Sequence, residues 1–147
     1  MSAAPFDPAP FAIARPFDPA RVTTAQRRVG RVLSGFAAVF LGMNATMSVL
    51  ALRPAVEGTS QLGFSPALVQ PFGVIQVAML VLYLVPRTAP LGAVLWTGWL
   101  GGAIATHVRL GNPLFSHTLF PLYIAVPLWL GLWLRDPRVR AALGPAR

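Results

Sequence analysis

Four charge-free apolar runs, residues 32–52, 58–86, 88–108 and 110–134, fill the chain from Val32 onward, and the charges lie almost wholly between them. Each run is long enough for a membrane crossing, because about 20 helical residues rising about 1.5 Å each match a hydrocarbon core of about 30 Å. The fold class that follows is all-α, an integral membrane four-helix up-down bundle. Its helices are expected at about 31–52, 66–85, 90–107 and 118–134, inside a domain of residues 27–143. The lipid bilayer is the first partner this implies.

Composition agrees. Charged residues are 11% of the chain against roughly 25% in soluble domains, and mean hydropathy is +0.63. Twelve Arg, no Lys and four acidic residues would suggest nucleic acid in a soluble chain. Here they mark membrane sidedness instead, and no nucleic-acid partner is expected. Arg15, Arg21, Arg27, Arg28 and Arg31 precede the first span, Arg87 divides the second from the third, and Arg135, Arg138, Arg140 and Arg147 close the chain. Only Arg53 and Arg109 occupy the other two loops. The positive-inside rule puts both termini in the cytoplasm.

The chain has no cysteine, which excludes disulfides, thiolate catalysis and iron–sulfur ligation by this polypeptide alone. Residues 1–26 form a Pro- and Ala-rich leader that carries PFDPA twice, at Pro5–Ala9 and Pro16–Ala20, with no apolar segment of the kind a cleaved signal needs. Such a segment reads as disordered and solvated, or as a docking arm with Phe6 and Phe17 as anchors. Residues 144–147 are a short tail.

Small residues four apart in the third span, Gly98 with Gly102 and Gly101 with Ala105, predict close helix packing, either inside the bundle or between two copies of the chain. Pro71, Pro121 and Pro127 fall inside expected helices and should kink them or free a carbonyl. The tryptophans and tyrosines near helix ends read as interfacial belt residues.

Polar side chains within the spans are few, and a buried amide in hydrocarbon needs a partner. Asn44, Ser48 and Gln76 are therefore expected to face inward, with Asn44 and Gln76 meeting each other or a ligand. At the outer face, topology gathers His107, Arg109, Asn112 and His117 with Glu57 and Gln61 from the other loop. A set of this kind can hold a quinone head group, a carboxylate or a transferable proton, or else anchor lipid headgroups. Two histidines ten residues apart without a third ligand do not make a zinc signature, so no metal is expected. No nucleotide loop, nucleophile motif or carboxylate pair is present, so no catalytic residue is assigned.

The segments PRTAPLGA, TGWLGGAIATHVR, LFSHTLFP and LWLGLWLRDPRVR, with VEGTSQLGF in the first outer loop, carry a resemblance. Over roughly residues 30–143 the chain resembles the DoxX-like family of small four-helix bacterial membrane proteins. The resemblance implies a bacterial inner-membrane location, and the wider DoxX group includes a subunit associated with quinone-linked sulfur oxidation. Relatives usually place an Asp and, four residues on, a Lys in the first helix. The aligned positions here are Asn44 and Ser48, so an ion pair is replaced by two neutral polar groups. The expected role is an accessory or ligand-binding subunit for quinone or another lipophilic molecule. The alternatives are the membrane subunit of a quinone-linked oxidoreductase with a redox protein partner, and, behind it, a small-solute transporter.

Overall fold

A computed structural model describes residues 22–143; both PFDPA copies, with Phe6 and Phe17, and the tail from residue 144 lie outside the described residues. Helix α1 runs Thr24–Val49, well ahead of the expected start near Arg31. The reason is local. Thr23 and Gln26 form a capping box, with the Thr23 hydroxyl accepting from Gln26 N at 3.2 Å and Gln26 Oε1 accepting from Thr23 N at 3.0 Å. The arginines at 27, 28 and 31 are therefore already helical.

The stretch expected as a first outer loop is instead a second helix, α2, Arg53–Gln61. Pro54 in its first turn needs no backbone donor, and Arg53 and Glu57 pair one turn apart at 3.7 Å. Gly63, at φ +81°, reverses the chain after it. A short 3-10 turn, Pro66–Leu68, leads into α3, Val69–Leu84. Helix α4, Ala89–Arg109, follows the tight turn at Pro86. A π-helical turn, Leu114–Thr118, then precedes α5, Phe120–Arg135, and the chain returns across the bundle end as α6, Pro137–Leu143.

Four of these segments, 24–49, 66–84, 89–109 and 114–135, are long and apolar enough to span a membrane. Side chains such as Val32 (71% exposed), Val39 (74%) and Phe115 (73%) point outward, where lipid rather than water accommodates them. Around the bundle the order is α1, α3, α4, α5, with α1 and α4 on the diagonal.

Glycines do close the bundle, but not those expected. A Cβ on Gly73 would strike the backbone of Val49, and one on Gly92 the backbone of Tyr83. On Gly131 it would lie 2.6 Å from Ser34 N. Gly98, Gly101 and Gly102 have nothing within 4 Å of that position, so the expected close packing along α4 inside the bundle is corrected: this face looks onto open space.

The prolines also fall differently. Pro71 is in the first turn of α3 and Pro121 in that of α5, where a missing N–H removes no helical bond; only Pro127 is interior. Trp96 is a core residue at 1% exposure among Tyr83, Leu128 and Leu132, and Tyr83, near a helix end and so expected in the belt, is fully buried. The Tyr83 hydroxyl lies 2.9 Å from the Leu128 carbonyl, to which it donates, and 3.0 Å from Ser34 Oγ. One buried phenol thereby ties α1, α3 and α5 together.

Candidate functional site

The open face of α4 borders a cavity of about 860 Å³ in the half of the bundle away from the chain ends. It exists because α4 presents Gly98 and Gly102 there, and α1 on the diagonal presents only the short side chains of Asn44 and Ser48. Helix α2 roofs it with Pro54, Ala55, Gly58 and Thr59. One wall is aromatic. Phe72 stands edge-on between Phe64 and Trp99, with ring centroids 5.5 and 5.3 Å away and planes near perpendicular.

Two groups of residues that the sequence places apart share this cavity. Asn44 and Gln76 line its deeper part, Ser48 lines it near the end of α1, and Gln61, His107, Asn112 and His117 line its outer end. No hydrogen bond joins Asn44 to Gln76 among the described residues. Gln76 is 4% exposed, and its Oε1 has no partner. A buried amide oxygen left this way is costly in hydrocarbon and favours a ligand or water that completes it.

The two histidines face each other with ring centroids 6.0 Å apart. His107 is held by its last-turn position on α4 and by Asn112, whose Nδ2 lies 2.8 Å from His107 Nδ1. His117 sits in the π turn with its Nδ1 2.8 Å from Ser116 Oγ. Such turns displace a side chain from the regular helical register, and here this carries the imidazole to the cavity rim. The loop between is fixed by Thr118, which donates to the Asn112 carbonyl at 3.2 Å.

Glu57 and Arg109 stand outside the lining. Glu57 pairs with Arg53 on the outer surface of α2. Arg109 donates to the Leu62 carbonyl at 3.2 Å and so anchors the turn that follows α2. With both outside, no side chain of Asp, Glu or Arg lines the cavity among the described residues. The space is thus neutral, hydrogen-bonding at both ends and aromatic along one side. No group of three or more His, Asp or Glu converges as a metal site among the described residues.

Sequence reasoning missed the aromatic wall and the roof. Phe72 carries no motif, Phe64 only ends the VEGTSQLGF segment, and Trp99 reads equally well as a belt residue. Pro54 with the Arg53/Glu57 pair was the available sign of a helix over the cavity.

Fold and cavity together define a polytopic helical membrane protein with an internal polar–aromatic pocket. Residues 32–131 match the DoxX-like family, and the chain belongs to it. No curated protein and no solved structure was found to match the chain.

Proposed function

We propose that this protein binds a neutral lipophilic molecule carrying a flat ring with carbonyl or hydroxyl oxygens, of which a quinone is the chemical type. The observation that carries the proposal is the cavity itself, with hydrogen-bonding side chains at two depths, Gln76 and Asn44 below and His107 and His117 above, along an aromatic wall. A ring with oxygens on opposite edges fits that division. The lack of a charged lining side chain favours a neutral ligand over a carboxylate. The role is binding and positioning, as an accessory subunit. Electron transfer to or from the ligand would use a redox centre on a partner protein, since this chain has no cysteine to hold a cluster.

The same reading places the protein in the bacterial inner membrane with both chain ends cytoplasmic, on the strength of where the arginines lie. The cavity then opens toward the outer side.

Titration of the purified chain in lipid nanodiscs with duroquinone and duroquinol tests the proposal, read by quenching of the Trp99 fluorescence that a Trp99→Phe variant removes. Saturable quenching, lost in Gln76→Leu and in the His107→Ala/His117→Ala pair, is the expected result. Quenching that grows without saturation, or that the variants leave intact, would overturn it.

A further inference from the structure

A second hollow, of about 410 Å³, lies at the opposite end of the bundle, where both described chain ends meet. Arg27 and Arg31 line it from α1, one helical turn apart and on one face. Arg135 closes α5, and Arg138 opens α6. Among the described residues, Asp136 is the one carboxylate that lines the hollow beside these four guanidinium groups.

Their charges are unevenly compensated. Arg138 is satisfied, bonding Asp136 Oδ2 at 2.9 Å and the Pro86 carbonyl at 2.7 Å. Neither Arg27 nor Arg31 enters an ion pair among the described residues. Arg135 lies over the Tyr83 ring, with its Cζ 5.3 Å from the centroid, and its Nε is buried without a hydrogen-bond partner. Three positive charges therefore surround one preformed hollow with no anion to match them among the described residues. Its floor is apolar, from Ala89, Leu132 and the flanking prolines.

Depth points to the occupant. The segments apolar enough to span end at Arg135 in α5 and begin at Ala89 in α4. The charge-free run of α1 starts only at Val32, beyond Arg27 and Arg31, which in a bilayer sets the hollow near the headgroups. We propose that it is a binding site for the phosphodiester headgroup of an anionic phospholipid, with the guanidinium groups of Arg27, Arg31 and Arg135 around the phosphate and the apolar floor against the glycerol and upper acyl chain. Guanidinium groups match phosphate oxygens in geometry as well as in charge. Basic hollows between membrane helices are suited to such headgroups. A free phosphate shares the charge chemistry but makes no use of the floor. The site is independent of the ligand cavity.

Native mass spectrometry of the full chain in mild detergent, titrated separately with phosphatidylglycerol and phosphatidylcholine of matched acyl chains, provides the test. Phosphatidylglycerol is expected to bind about thirty-fold more tightly, and R27Q/R31Q to bring the two lipids within about three-fold. Both side chains are exposed on α1, so the variant should fold. R28Q/R87Q removes the same charge from neighbouring positions outside the hollow and should preserve the preference. An equal loss in R28Q/R87Q would overturn the site in favour of diffuse surface charge. Displacement of the lipid by millimolar inorganic phosphate would overturn the lipid as occupant.

Discussion

Asn112 Nδ2 lies 2.8 Å from His107 Nδ1, and because an amide nitrogen only donates, the neutral imidazole accepts there and carries its proton on Nε2. His107 then offers the cavity a donor, which suits a carbonyl oxygen better than a hydroxyl hydrogen. At pH 8, Asn112→Asp should reverse the tautomer, since a carboxylate beside Nδ1 accepts rather than donates. The ratio of duroquinone to duroquinol affinity is expected to fall about ten-fold, one hydrogen bond's worth of discrimination. An unchanged ratio would mean that His107 does not contact the ligand.

Glycines on α4 and α3 should behave in two opposite ways. Gly98→Leu has free space and should leave the bundle folded, while its side chain intrudes into the cavity beside Trp99 and weakens saturable quinone binding. Gly73→Ala adds far less volume but meets the backbone of Val49, so helices α1 and α3 must separate. A loss of about 1–3 kcal/mol is expected from such overpacking. Thermal unfolding in detergent, read alongside the ligand titration, distinguishes the two. Equal destabilisation by both would place Gly98 at a helix contact after all.

The same contrast explains which parts of the molecule could be read in advance. Membrane spans announce themselves because a charge within lipid is expensive, so the arginine spacing marked the four crossings directly. Glycine spacing along α4 carried no such information. It shows that one helix face is thin, not whether another helix or a void lies opposite, and here the short side chains of α1 across the diagonal make it a void. Gly73, Gly92 and Gly131 close the bundle without any repeat that would single them out. Helix α6 lies outside the long apolar runs and α2 begins between two of them, so hydropathy passed over both. Their sign in the sequence was local, a proline in the first turn of each. Gln76 and Asn44 stand out in the sequence as amides in an apolar span, but that they share one space with His107 and His117 depends on the depth of the cavity, which sequence does not encode.

Helix α6 should stay docked through neutral and mildly acidic pH. Asp136 accepts from the side chain and backbone of Arg138, and the Arg138 guanidinium holds its carboxyl below the usual carboxylate range. A group whose pKa is lowered on folding contributes stability above its unfolded value and loses it as pH falls through the folded one. Docking is therefore expected to be flat from about pH 8 to 5 and to weaken only below the ordinary carboxylate range. Trp133, under the Arg140 guanidinium at 4.2 Å, reports it by fluorescence, taken as the difference from Trp133→Phe. Asp136→Asn should give the loosened signal at every pH. A transition centred near pH 6 to 7 would assign the docking to some other group.

Sidedness can be measured cleanly because the chain has no cysteine of its own. Ser60, exposed near the end of α2, and Ala141, exposed on α6, lie at opposite ends of the bundle. Each can be replaced singly by cysteine without touching either cavity lining. With the arginine-rich end cytoplasmic, a membrane-impermeant maleimide should label Ser60→Cys in intact spheroplasts and Ala141→Cys only in inverted vesicles. The reverse pattern would turn the ligand cavity toward the cytoplasm. The headgroup site would then face the outer leaflet, and any partner supplying or removing the ligand's electrons at the cavity mouth would have to be a cytoplasmic protein.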